Sequence, residues 1–497
     1  MRIVRFCATL LMMVAILSPG LIASGFENSG VGVKARAIGG AFRAIADDWT
    51  AAYYNPAGYG FAFDNQLGGN MALVHLRHEL VPDYRWGGEY ESGVFNDRVN
   101  YNTHDIFSLP SAGFIVRLPV WGETVFGLSA YQPFDYNIRW NLFEPLRGYS
   151  TMANIPDNQY HNNLDVVAIQ LTAAREYIED KLALGIGLQI LRGDLVFSSI
   201  IFRDNPVKEL EGADPDMWIR PMEKISVFNH QDGRGLGLGI TAGALWRASE
   251  KLNLAATVDI PFSLTISGKS LNEYYMPSCS TLWHNADSAA IGDEGTIGQL
   301  FLSGEQVNDH AEFSTKLKLP PSLALGLAYA AGEKLTISFD AQYTLWSVFD
   351  GFAFTYTDHY GPPEVVTTTA WARSFVESDV TYQVDWSNTG KVMLGASYDY
   401  SEYLTLMAGA SADQSPARST KQFSPLFVDT GDKYGLNGGL VVHLERWDLG
   451  LATSYLHYPD LEVAAPSTFG QEEDLVYFPG DYRAAAYETI LSFNYRF

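Results

Sequence analysis

Beyond the first ~65 residues the chain alternates apolar and polar positions, the period-two signature of strands that separate two environments. From Leu335 to Trp346, Leu335, Ile337, Phe339, Ala341, Tyr343 and Leu345 point one way. Thr336, Ser338, Asp340, Gln342 and Thr344 point the other. In Leu252 to Phe262, Leu254, Val258, Ile260 and Phe262 oppose Asn253, Thr257 and Asp259, and in Gly235 to Trp246 an apolar face opposes Gly235, Gly237, Gly239, Thr241 and Gly243. Fourteen such candidate strands follow one another, each near the ~9–11 residues a tilted strand needs to cross a bilayer. The pattern predicts an all-β transmembrane barrel of 14 antiparallel strands over residues 66–497.

The connections sort by length. Short polar turns at 121–124, 178–181, 248–251, 331–334, 400–402 and 445–448 alternate with long segments near 80–110, 134–161, 204–231, 268–309, 350–379, 413–433 and 459–484. Both chain ends then lie on the short-turn side, as in an even-stranded bacterial outer-membrane barrel with periplasmic turns and extracellular loops. The last strand fits. Tyr487, Thr489, Leu491, Phe493, Tyr495 and the terminal Phe497 share one face, and Phe497 reads as the signal for barrel-assembly machinery. An aromatic content of 13% suits two interfacial girdles.

The first residues do not alternate. Arg2 and Arg5, the apolar stretch Ala8 to Leu17, Pro19-Gly20 and the small residues Ala23, Ser24 and Gly25 read as a secretory signal over 1–24. In residues 25–65, Ala35, Ile38, Phe42 and Ile45 recur at helical spacing, Gly39-Gly40 interrupts them, and Asn55-Pro56-Ala57 makes a stiff corner. A single apolar stripe needs an enclosed surface, and the nearest is the barrel lumen. This predicts a short helical hatch.

A net charge of -24, two units more negative once Arg2 and Arg5 leave, excludes nucleic acid as a partner. Of the two cysteines, Cys7 leaves with the leader and Cys279 remains as a lone loop thiol. No disulfide framework or metal-ligand spacing is present. Gly-x-Ser-x-Gly, His-Glu-x-x-His and Cys-x-x-Cys are also missing from the sequence. The expectation is no enzyme, no cofactor and no metal.

Gly25-Phe26-Glu27-Asn28-Ser29-Gly30, Gly39-Gly40-Ala41-Phe42, Ala46-Asp47-Asp48 and Asn55-Pro56-Ala57 resemble the N-terminal hatch of FadL/TodX-type outer-membrane transporters of long-chain fatty acids and other hydrophobic compounds. Ala412-Asp413-Gln414-Ser415-Pro416 and Pro479-Gly480-Asp481-Tyr482 are weaker echoes. The resemblance implies passive uptake of hydrophobic small molecules, most readily long-chain fatty acids, by a monomer. Its implied route is a loop groove, a lumen pocket gated by the hatch, and a lateral opening beside a bend in the third strand.

Candidates for the capture groove are Met217, Trp218, Ile219 and Met222 in one loop, with Tyr274, Tyr275, Met276, Leu282, Trp283, Leu300 and Phe301 in the next. These adaptable apolar groups either hold ligand or pack the loops together. Gly127 and Pro133 mark the opening, since proline removes a ladder hydrogen bond. By resemblance Asn55-Pro56-Ala57 would sit against that bend, and Phe26, with Phe42 behind it, would occupy or brace the pocket. For a carboxylate ligand, alternation selects Arg117 as a lumen cation, and family position selects Arg192, which would need a bulge to turn inward. Either arginine could instead neutralise a lumen acid such as Asp259 or Asp340. Three rivals stand: a general porin, a barrel enzyme, and a FadL-like barrel adapted to protein secretion or surface attachment.

Overall fold

The computed structural model describes residues 25–83, 85–86, 89–90, 98–103, 106–119, 123–142, 159–206, 224–277, 300–417, 424–427, 431–464 and 478–497. Fourteen strands close into one antiparallel barrel. They are β1 (Gln66–Pro82), β2 (Ile106–Leu118), β3 (Thr124–Trp140), β4 (Tyr160–Ile178), β5 (Leu182–Asp204), β6 (Lys224–Ser249), β7 (Leu252–Pro261, resumed at Leu264–Tyr275), β8 (Gln306–Leu317, resumed at Ser322–Ala330), β9 (Leu335–Thr344, resumed at Gly351–Tyr360), β10 (Val380–Gln383, resumed at Thr389–Ser401), β11 (Leu404–Asp413), β12 (Lys433–His443), β13 (Trp447–Val463) and β14 (Gly480–Arg496). β14 closes on β1 from Gln66↔Arg496 to Pro82↔Gly480. Closure gives every strand two neighbours, which a bilayer interior demands of backbone amides. Leu184, Ile186, Leu188 and Ile190 on β5 and Leu236, Leu238, Ile240 and Trp246 on β6 stand exposed outside as the lipid face.

Four consecutive strands, β7 to β10, break at one level, and the two faces exchange character there. Below the break Thr257, Ser338, Asp340, Gln342 and Thr344 are buried, while Ile260, Phe262, Leu323, Leu325 and Tyr343 are exposed. Above it Leu264, Ile266, Phe313, Phe352, Phe354, Tyr356 and Tyr382 are buried, and Thr265, Ser314, Lys316, Thr355, Thr381 and Gln383 are exposed. In β7, β8 and β10 a one-residue slip reverses every side chain across the break, whereas β9 keeps its even positions inward and changes the residues that occupy them. The barrel therefore has a polar lumen within the bilayer and an apolar core above it. The long segments predicted at 268–309 and 350–379 accordingly contain strand, at Leu264–Tyr275, Gln306–Leu317 and Gly351–Tyr360.

Residues 25–65 lie inside the barrel as α1 (Val33–Ala37), α2 (Ala51–Tyr54) and a tight turn at Pro56–Phe61. α1 packs on β11 to β13 and the turn on β3 to β6. Wall glycines permit this approach. A Cβ on Gly409 would stand 2.2 Å from the Ile38 carbonyl carbon, and one on Gly185 would stand 2.4 Å from that of Pro56. Two ion pairs fix the segment: Arg36 to Glu488 on β14, and Arg43 to Asp340 on β9 at 3.3 Å. Arg43 also donates to Gln342 at 2.5 Å. The lumen acid Asp340 is thus neutralised from the hatch rather than by a wall arginine.

Candidate functional site

The third strand bends where Pro133 sits. Ladder pairing of β2 with β3 runs from Leu118↔Thr124 to Ala112↔Ala130, and the described pairs stop there. Immediately above, the register of β3 against β4 shifts between Tyr131 and Phe134, a bulge holding Gln132 and Pro133. Phe134 pairs with Val166 of β4 on one side and bridges Glu27 on the other. The N-terminal segment has taken the edge of β3 that β2 leaves. Asn28 donates its backbone N–H to Pro133 O at 2.9 Å and its side-chain amide to Gln132 O at 3.0 Å, while Asp135 N–H donates to Phe26 O at 2.9 Å. Glu27 accepts from Gln342 Nε2 at 2.7 Å.

This strand addition carries Phe26 into a cage of rings. Its centroid lies 5.2 Å from Tyr136, 5.9 Å from Trp346, 5.2 Å from Phe349, 5.1 Å from Trp386 and 6.2 Å from Phe427. Phe26 is 1% exposed. Trp346, Phe349 and Trp386 come from the breaks in β9 and β10, so the interruption of those strands turns large rings inward. Sequence reasoning named Phe26 but not the five rings around it. The run Trp346, Phe349, Phe352 and Phe354 was the available signal.

Two small cavities flank the segment. One of about 50 Å3 lies between Glu27, Asn28 and Ser29, Phe107 and Leu109 of β2, and Asp135 and Tyr136 of β3. The other, about 40 Å3, is polar, lined by Glu27, Arg43, Tyr131, Pro133, Gln189 and Asp259 among others. Both fall well below the ~150 Å3 of a cavity that takes benzene. The passage is shut. Below it Tyr131 donates to Gln170 at 2.5 Å and Gln189 to Asp259 at 3.1 Å. The Tyr54 hydroxyl accepts from Val31 N–H at 3.0 Å, and burial pushes its pKa up to about 12.

Several expected residues stand elsewhere. Asn55-Pro56-Ala57 does not meet the Pro133 bend. Asn55 donates to Arg43 O at 3.0 Å and Ala244 O at 3.2 Å, and the corner rests on Gly185 and Gly243 of β5 and β6. From that turn Tyr59, which lies over Gly127, reaches β3. Phe42 packs edge-on to Tyr54 at 5.5 Å, in a cluster separate from the Phe26 cage.

Arg192 points outward, 56% exposed, and pairs with Asp194 at 3.0 Å. Its strand pairs without a bulge at that height, so it keeps the phase of Leu188 and Ile190. Arg117 is held at the short-turn rim, where it donates to Ala62 O at 2.6 Å and to Glu123 at 3.2 Å. Neither arginine faces the pocket.

Met217, Trp218, Ile219, Met222, Cys279, Leu282 and Trp283 lie outside the described residues. Tyr274, Tyr275, Met276 and Phe301 are buried rather than open to a groove. Tyr274 donates to Val376 O at 2.6 Å, and Phe301 packs on Trp371 at 5.2 Å, both on α4 (Ala370–Val376), which follows α3 (Glu364–Thr368). Phe497 donates its N–H to Asn65 O at 3.1 Å at barrel closure. Among the described residues no His, Cys, Asp and Glu set is placed to hold a metal.

The profile of the family described as "Outer membrane protein transport protein (OMPP1/FadL/TodX)" matches residues 14–497. The chain belongs to this family. It is a multi-pass protein of the outer membrane, in a family of transport proteins rather than enzymes. It is 24% identical over 354 residues to outer membrane protein P1 of Haemophilus influenzae, covering 67% of this chain and 66% of that protein. The match thus spans just under two thirds of that relative's own length. A FadL homologue of Pseudomonas aeruginosa superposes with a TM-score of 0.70 at 17% identity, over 95% of this chain and 99% of the other. The Pseudomonas putida toluene transporter TodX gives 0.64 at 14%, over 94% and 99%. At these identities the superpositions speak for the fold.

Proposed function

We propose that the protein moves hydrophobic compounds passively through the outer membrane by a pocket inside the barrel that empties sideways beside β3, with the stretch Phe26–Asn28 as its stopper. The observation that carries this is a double occupancy. One short segment fills the ring cage and also the edge of β3 that β2 has left. Withdrawing it opens an apolar pocket and a lateral path in one movement, so an oily solute need never cross water. Cleavage of the leader after residue 24 would leave Phe26 next to a free terminus, able to swing out alone while α1 stays seated on its glycines.

The ligand is recognised by its apolar body. Long-chain fatty acids, the expectation from sequence, asked for a lumen cation. Arg117 and Arg192 point elsewhere, the lumen arginines Arg36 and Arg43 are bound to carboxylates, and Lys433, which lines the cavity beside Glu27, lies over the Tyr458 ring. Phe26 holds a benzyl ring among five others, so a neutral ring-bearing hydrocarbon is the ligand that best replaces it. The toluene transporter among the structural neighbours agrees with this reading.

Uptake by a host lacking its own hydrophobic-compound transporters tests it. Cells expressing the protein should accumulate a labelled monoaromatic hydrocarbon faster than vector controls, with smaller gain for a long-chain fatty acid and none for a sugar. A steady large conductance in planar bilayers with sugar uptake would make it a porin. A stoichiometric secreted polypeptide co-purifying in place of lipid or detergent would favour the secretion rival.

A further inference from the structure

The inversion of faces in β7 to β10 has an effect outside the barrel. Where the lower halves end, the wall carries an outward concavity of about 530 Å3, lined by Thr265, Ser314, Lys316, Lys318, Asp350, Thr355, Thr381 and Gln383 among others. It is more than ten times larger than either lumen cavity, and it faces away from the transport path.

Its height is fixed by the ladders. Arg192 pairs with Leu236, Leu236 with Thr265, and Thr265 with Lys316, so these residues form one row across β5 to β8. Leu236 is the last exposed apolar residue on β6 before Arg234, and Ile190 is the last on β5 before Arg192. Below the concavity stand Phe262, Leu323 and Tyr343, all lipid-facing. The groove therefore opens where acyl chains end and headgroups begin, on the long-loop side.

Its charge is opposite to that of the protein. Of the residues that line it, Lys316 and Lys318 meet Asp350, two cations against one carboxylate in a chain of net charge -24, with Arg192, Arg234 and Asp194 beside them and Lys269 between Asp232 and Glu312 further up the wall. Arg192 and Arg234 share Asp194, at 3.0 and 2.8 Å, which spreads their guanidinium groups along the wall. Lys318 pairs with Asp350 at the groove floor. Hydroxyls of Thr265, Ser314, Thr355 and Thr381 supply neutral donors and acceptors between the cations. Lysines and arginines at a lipid headgroup plane attract anionic headgroups at ~1 kcal/mol each.

We infer that this groove seats the phosphorylated sugar headgroup of an outer-leaflet glycolipid. Lys316 and Lys318 lie against its phosphates, the threonine and serine hydroxyls against its sugar, and its acyl chains run down over Phe262, Leu323 and Tyr343. The bound lipid seals the outer side of the wall at the level where four strands are interrupted.

The test uses the full mature protein purified from membranes in mild detergent, stripped of glycolipid and titrated with lipid A, followed by native mass spectrometry. Lipid A should bind, and enzymatically dephosphorylated lipid A should bind roughly tenfold more weakly. Lys316→Glu, and Lys316→Glu with Lys318→Glu, should each weaken lipid A by roughly tenfold or more. Lys334→Glu, at an exposed short turn on the opposite rim, should change nothing. Heat-resistant migration of each variant reports an intact barrel. Equal binding of phosphorylated and dephosphorylated lipid, or undiminished binding by an intact Lys316→Glu barrel, would overturn the assignment.

Discussion

Truncating Phe26 to alanine isolates the stopper. The ring is 1% exposed and meets five others at centroid distances from 5.1 to 6.2 Å. Removing such a ring costs ~3–5 kcal/mol where the site cannot collapse, and this cage is braced by its own contacts, Trp346 on Trp386 at 5.2 Å and Phe349 on Trp386 at 4.7 Å. The rest of the docking is three hydrogen bonds to the bulge of β3, the Gln342 amide on Glu27 and the Tyr53 hydroxyl on Asn28 O, each ~1 kcal/mol net. The ring is thus the largest single contribution to holding the segment down. Its loss should raise the undocked fraction by roughly 100- to 4000-fold. Hydrogen exchange reads this directly, because the amides of Asn28 and Asp135 are protected only while docked. Both should exchange faster together in Phe26→Ala, whereas amides of α1 keep their rates, and hydrocarbon uptake should rise. Unchanged exchange at Asn28 and Asp135 would refute the idea that the ring anchors the segment.

Gly409→Ala places a methyl 2.2 Å from the Ile38 backbone, so α1 must shift. Faster exchange across Val33–Ala37 with an intact barrel is expected, and an unmoved α1 would contradict the packing. Arg43→Met leaves Asp340 buried without its partner and should destabilise hatch seating by ~3–5 kcal/mol, while adding Asp340→Leu recovers most of that loss. A double-mutant cycle on hatch exchange measures it, and additivity would exclude coupling. Arg192→Ala and Arg117→Ala should each leave fatty-acid uptake within about twofold of the parent, since neither faces the pocket; a loss near tenfold, ~1.4 kcal/mol, would restore a carboxylate role.

The barrel itself was legible because strand alternation is local. Two adjacent residues on a strand face opposite solvents wherever the strand lies, so Leu335 to Trp346 declares its lipid face without its neighbours. The even count and the sorting of turns by length follow from the same pattern. The pattern also explains what was misread: a slip of phase at Phe262–Ser263 resembles a loop when only one period is sought, although the chain continues as strand with its faces exchanged. Arg192 shows the limit from the other side, since its phase was readable and the bulge needed to turn it inward is not there.

The cage around Phe26 had no local signature. Its rings stand at positions 26, 136, 346, 349, 386 and 427, and only closure of the barrel brings them within contact. Likewise nothing in Asn55-Pro56-Ala57 says which strand it meets; the small residues Gly185 and Gly243 opposite it decide that by leaving room. The sequence by itself determined the solvent on each face, because hydrophobicity acts residue by residue. Which side chains share the pocket, and which strand edge the N-terminus completes, were decided by tertiary structure, because those depend on distances between residues far apart in the chain.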